Sequence, residues 1–265
     1  MALLQKQFFS LLPTFILILS MLLQAPLSHA REKVIVGVAH FPPFIINENS
    51  DVGGLVKDML ALMNAEQSDY EFVALPTLAN TRHKIFDLGR YDMSMFDNLD
   101  WGWEGRAVDA SDIYLRGGEI YITQALPGRG QEYFDDFTNK KIIGIEGYHY
   151  AFAGFNADPE YLEKNFNMEL TRSNLGSIQM ILSGTRGDIA VVTRSFLAQY
   201  LNEHPEARDQ LLLSKKYDQK YEHRIILRKN IKPTIEEINA LLATLKKTGK
   251  LDNLWETINL DALDQ

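Results

Sequence analysis

Apolar residues recur along this chain in two alternating rhythms. Val34-Ile35-Val36-Gly37-Val38, Met93 to Phe96, Ile142-Ile143-Gly144-Ile145 and Ile189-Ala190-Val191-Val192 are short runs without polar residues apart from Ser94, the mark of strands buried on both faces. Tyr70 to Leu75 reads as a further strand. Between the runs the spacing changes to that of helices. Leu55, Val56, Met59, Leu60 and Met63 come after the Gly53-Gly54 turn, and Leu175, Ile178, Ile181 and Leu182 precede Gly184. The pattern also predicts a helix over 77–88, ended by Gly89. Near the end, Thr234 and Glu237 form a capping box ahead of Ile235, Ile238, Leu241, Leu242 and Leu245. Lys246 and Lys247 suit the negative end of that helix, and Gly249 stops it. Leu251, Leu254, Trp255 and Ile258 begin another.

Strand–helix alternation of this kind predicts an α/β protein with a largely parallel sheet and helices on its faces. Because the pattern starts twice, two Rossmann-like lobes are expected. Glu119 to Thr123 is an extended crossover between them and Glu222 to Leu227 a return strand, two hinge crossings in all. Lobe 1 takes residues 31–122 and 223–265, and lobe 2 residues 123–222.

The first thirty residues stand outside this pattern. Lys6 is their one charged side chain, Leu11 to Leu23 is apolar apart from Pro13, Thr14 and Ser20, and Ser28-His29-Ala30 closes the segment. A basic start, a short apolar centre and a small-x-small end predict a secretory signal peptide cut after Ala30. The apolar run is shorter than the about 20 residues that span a bilayer, so the exported product is expected to be soluble, periplasmic and without a stable membrane anchor. Loss of Lys6 reduces the 27 Lys and Arg to 26, against 35 Asp and Glu, a net charge of −9. An acidic chain without a basic stripe argues against a nucleic-acid partner. The chain has no cysteine, which excludes a disulfide framework, a thiol nucleophile and a Cys-based zinc site.

Open parallel sheets bind ligands beyond the carboxyl ends of their strands. That rule selects the loops His40 to Ile46, Asp97-Asn98 onward, Glu146 to Tyr150, and Thr193-Arg194. Facing lobes would bring all four to one cleft able to close like a hinge.

The residues in and around these loops resemble those of family-3 extracellular solute-binding proteins, the periplasmic receptors of polar amino-acid ABC importers. The resemblance spans residues 33 to 260. It rests on the ordered segments VIVGVAHFPPF at 34–44, Gly53-Gly54-Leu55-Val56-Lys57-Asp58, Leu88-Gly89-Arg90-Tyr91-Asp92, Gly105-Arg106-Ala107-Val108-Asp109-Ala110-Ser111, Lys141 to Gly147, Gly187-Asp188-Ile189-Ala190 and Lys247-Thr248-Gly249-Lys250-Leu251. It implies a type II periplasmic-binding fold, a monomer, a small carboxylate-bearing, amino-acid-like solute, and delivery to an ABC permease. Arg106 matches the family's carboxylate-binding arginine, whose planar fork suits a carboxylate. Phe41 matches its aromatic position, although Phe41 and Phe44 equally suit packing around Pro42-Pro43. Three departures bear on specificity. The segment 97–106 is longer than usual and carries Trp101 and Trp103, suited either to stacking on a ring or cation or to packing between lobes. Tyr148 stands in place of a small hydroxyl residue. Thr193 stands in place of the acid that holds an α-amino group, leaving Asp97 or Glu146 to supply that charge.

No phosphate-binding glycine loop, nucleophile elbow, HExxH or histidine pair at metal-ligand spacing occurs, so neither metal nor cofactor is expected, and no catalytic residue. Two other uses of such a cleft remain: presenting a bound solute to a membrane receptor, or a secreted cyclohexadienyl-type dehydratase with Glu146 and His149 as its acid–base pair.

Overall fold

The computed structural model describes residues 30–48 and 51–257. The expected leader, Ala30 apart, and Ile258 of the expected last helix lie outside them. The described chain from Lys33 onward belongs to one compact unit. It opens with β1 (Glu32–Ala39), a short hairpin β2 (Ile46–Glu48) and β3 (Asp51–Gly53), α1 (Leu55–Glu66), β4 (Tyr70–Thr77) and α2 (Arg82–Asp87). There follow β5 (Met93–Asp97), β6 (Val108–Ala110), β7 (Leu115–Gln124) and β8 (Ile142–Ile145). The remainder is α3 (Pro159–Phe166), β9 (Met168–Thr171), α4 (Asn174–Leu182), β10 (Ile189–Thr193), α5 (Arg194–Glu203), β11 (Leu211–Arg228), α6 (Ile235–Lys247) and α7 (Lys250–Glu256).

Nine strands make one mixed sheet in the order β4-β1-β5-β11-β7-β10-β8-β9, with β6 also on β11. β1 runs parallel to β5, and β8 parallel to both β10 and β9. Between these parallel halves lie β7 and β11, antiparallel to each other over most of their length. The expected crossover and return strand are therefore the two central strands, and much longer than their apolar segments suggest. Alternating exposure along the 18 residues of β11 explains the shortfall: a strand half open to solvent does not read as an apolar run.

The main core extends without a break from Val34, Val36 and Val38 to Ile142, Tyr150 and Met168, and a second cluster gathers Ile120, Ile122, Ile143, Ile178 and Leu197. Helix α1 buries Leu55, Val56, Met59, Leu60 and Met63, the five residues its spacing marks. Thr234 and Glu237 complete both halves of the capping box on α6. The expected helix over 77–88 is reduced to the six residues of α2, because Thr77 ends β4 and a turn over 78–81 precedes the helix. Helix α3 carries one buried residue, Leu162, so apolar spacing cannot mark it; its signal is the Asp158-Pro159 start, where the Asp158 carboxylate accepts from Tyr161 N. Among the described residues no helix is long and apolar enough to cross a membrane.

Candidate functional site

The carboxyl ends of β1, β4, β5 and β8 converge on one cavity with about 530 Å³ of empty space, part of it open to solvent. Its wall combines Phe41, Trp101, Tyr148 and Phe96 with the polar groups of Thr77, Arg82, Asp97, Glu119, His149 and Gln219.

Arg82 enters from the first turn of α2 and is buried, 10% of its side chain exposed. Its Nη1 donates to Ala79 O at 3.1 Å and to Gly147 O at 3.3 Å, and its Nη2 donates to Trp101 O at 2.9 Å. Its Nε lies 3.8 Å from Asp97 Oδ2. Asp97 is held besides by Ser94 Oγ at 2.8 Å and by its neighbour Asn98 N at 2.9 Å. A buried carboxylate with a guanidinium and two hydrogen-bond donors is matched in charge and geometry. Just before it, Phe96 has φ +53°, and the register of β5 against β11 shifts between Arg224 and Ile226. A left-handed bulky residue is strained, and such strain persists where the surroundings hold it, as at ligand sites.

From β7 and β11 come Glu119 and Gln219, opposite each other in register. Gln219 Oε1 accepts from Trp101 Nε1 at 2.9 Å, while its Nε2 donates to Glu119 Oε2 at 3.0 Å and to His149 O. Burial, reinforced by the like charge of Asp218, pushes the Glu119 carboxyl up to about 8. His83 and His149, with ring centroids 5.9 Å apart, are held neutral. Burial first, then Arg82, takes their imidazoles down to about 2 and about 3.

The two parallel halves of the sheet touch across this cavity. Besides the Arg82–Gly147 bond, Asn80 Nδ2 donates to Glu146 Oε1 at 2.7 Å and Tyr148 OH donates to His40 O at 3.3 Å. Gly147 has φ +81°, and a Cβ there would stand 2.5 Å from Asn80 N. Only glycine suits both the conformation and the approach.

Of the residues picked from the loops, Phe41, Asp97, Trp101 and Tyr148 line the cavity. Phe41 meets Trp101 and Tyr148 edge-on, each at 5.5 Å between centroids. The others stand elsewhere. Arg106, expected to meet a carboxylate, does not line this cavity. It lies in a surface depression with Phe86, Glu104 and Arg228, where its fork takes both oxygens of Asp87 at 3.0 Å and its Nη1 donates to Gly102 O. The long 97–106 segment turns it outward, and the cavity receives Arg82 instead. Trp103 is buried against Phe86 and His83 in a separate small cluster and does not line the cavity. Glu146 is engaged by Asn80. Asn98 bonds Asp97 and Asp100 behind the wall. Thr193 exchanges two hydrogen bonds with buried Asn174, N to Oδ1 at 3.0 Å and Nδ2 to Oγ1 at 3.2 Å, and Arg194 begins α5. Arg82, Glu119 and Gln219 carry no motif and escape sequence reasoning.

Two parallel half-sheets joined through two long central strands, with a cavity at the carboxyl ends, define the type II periplasmic-binding fold. Solved structures of several binding proteins share it. A putative binding component of an ABC transporter from Wolinella succinogenes, complexed with lysine, is 16% identical with a TM-score of 0.64, covering 86% of this chain and 96% of that one. The GluR0 ligand-binding core in complex with L-glutamate is 15% identical with a TM-score of 0.66, covering 87% and 98%. An ancestral amino acid-binding protein, described as a precursor of cyclohexadienyl dehydratase, is 18% identical with a TM-score of 0.65, covering 85% and 94%. No family model matches the sequence, and no curated protein does.

Proposed function

We propose that this protein is a periplasmic solute-binding protein that takes a small, amino-acid-like solute into the cavity between its two lobes and delivers it to an ABC importer. The observation that carries this reading is the cavity itself, with the buried Arg82–Asp97 pair at its wall and hydrogen bonds between the two half-sheets beside it. Such a site captures by hinge closure about β7 and β11, with residues 31–122 and 223–265 moving against 123–222. Arg82 is the group that meets the solute's carboxylate. The exported form begins at Arg31 and works as a soluble monomer. The binding proteins that share the fold support this reading, in keeping with the lysine and glutamate named for two of them.

An enzymatic use is the weaker reading. It draws on the dehydratase mentioned for one neighbour, but its candidate acid, Glu146, is bonded to Asn80 and does not line the cavity, whereas His149 does. A thermal-shift screen of amino acids, polyamines and organic acids tests the binding role, because a ligand that binds the native state alone raises its melting temperature. Stabilisation by amino-acid-like compounds is expected. Turnover of a cyclic carboxylate, or no stabilisation by any of these classes, would overturn the proposal.

A further inference from the structure

Among the described residues, Glu119 is the acid of the cavity wall that faces no basic partner. Only 2% of it is exposed, its hydrogen-bond partner among the described residues is the neutral Gln219 amide, and the charged group acting on it is another acid, Asp218. Asp97, by contrast, already has Arg82, Ser94 and the Asn98 amide. A buried carboxylate without a counter-charge is costly, and ionisable groups perturbed in this way cluster at functional sites.

We propose that Glu119 is the counter-ion for a positively charged group of the solute, so that the cavity selects a ligand bearing an ammonium or guanidinium and discriminates against dicarboxylates. This rests on the reading of the cavity as the solute site. Three further observations support it. The Gln219 amide is locked by Trp101 Nε1 on one side, so it donates to a single carboxylate oxygen of Glu119. The rings of Phe41, Trp101 and Tyr148 line the same cavity, and aromatic faces attract desolvated cations. Burial, with Asp218 beside it, holds the carboxyl up at about 8, so near neutrality it keeps a proton that an incoming cation replaces. The same fact makes Glu119→Gln a safe probe, because glutamine has the shape and neutrality of the protonated acid.

The test is calorimetric titration of the wild type and Glu119→Gln with cadaverine, L-lysine, L-glutamine and succinate at pH 7, with melting temperatures as the folding check. The wild type is expected to bind cadaverine or L-lysine at least tenfold more tightly than succinate. The variant should melt no lower than the wild type and lose at least about thirtyfold in affinity for whichever cation binds, the range seen when one partner of a buried charge pair is removed. Loss confined to cadaverine and L-lysine places a side-chain cation on Glu119, and an equal loss for L-glutamine places the α-ammonium there. Cation binding within threefold of wild type in the variant, or a wild-type preference for succinate, overturns the inference and leaves the solute-binding reading standing. Failure of the wild type to bind any of the four overturns both.

Discussion

Two arginines separate position along the chain from position in space. Arg106 sits where a family pattern wants a carboxylate-binding group, yet its fork is closed on Asp87 at a surface where 27% of the one side chain and 51% of the other is exposed. Arg82 lies within a turn of polar residues that advertises nothing, and it is the guanidinium of the cavity. Arg82→Ala is expected to leave Asp97 buried without its counter-charge, costing on the order of 3 kcal/mol and abolishing solute binding. Arg106→Ala removes a solvent-screened pair, costs under about 1 kcal/mol and leaves solute affinity within twofold. Urea unfolding and calorimetric titration of the two variants measure the contrast. A loss of affinity in Arg106→Ala with retention in Arg82→Ala would return the carboxylate role to the residue the sequence favours.

At the scale of elements, the loop after β8 and the turn before α2 form the contact that brings the two half-sheets together. Gly147 has no room for a methyl group, since a Cβ would meet Asn80 N at 2.5 Å and Ala79 C at 2.6 Å, both of them backbone. Neither atom belongs to a flexible side chain, so the loop and the turn have to separate. Gly147→Ala therefore folds, at a cost of about 1 kcal/mol for a left-handed alanine, and disfavours the closed arrangement. Solute affinity should fall at least tenfold, mostly through faster dissociation, as stopped-flow fluorescence can follow. Unchanged dissociation would show that closure does not use this contact.

For the whole molecule, burial of ionisable groups gives stability a maximum near neutral pH. His83, His149 and His223 are held at about 2, about 3 and about 3, chiefly by burial, with Arg82 adding to the first two and Arg106 to the first. Their folded values lie below the unfolded 6.5, so the stability they confer is full above that value and is lost as pH falls. Glu119 works in the opposite sense: with a folded value of about 8 above its unfolded 4.5, its contribution is full in acid and is lost as pH rises through 8. Between about pH 6.5 and 5 the histidines outweigh it, leaving a net loss on the order of 3 kcal/mol. Above about pH 7 the decline belongs to Glu119, and Glu119→Gln should flatten that limb while leaving the acid limb in place. Denaturant titrations from about pH 5 to 9 check both limbs. An alkaline decline that persists in the variant would assign it to another group.

Features that depend on neighbours along the chain are legible in the residues alone. The buried strands, the apolar stripe of α1 and the Thr234–Glu237 capping box come from periodicity and local hydrogen bonding, and they stand as expected. Phe41, Asp97, Trp101 and Tyr148, picked from the loops, line the cavity, because a residue just past a parallel strand lies at the carboxyl edge whatever else the chain does. Only the folded arrangement decides what each side chain meets. Glu119 and Gln219 are a hundred residues apart and become partners through the register of β7 on β11. Arg82 reaches Gly147 across the gap between two half-sheets, and Arg106 stands outside the cavity with its fork on Asp87. No local pattern encodes these pairings, since each depends on how distant strands pair and how a long loop turns.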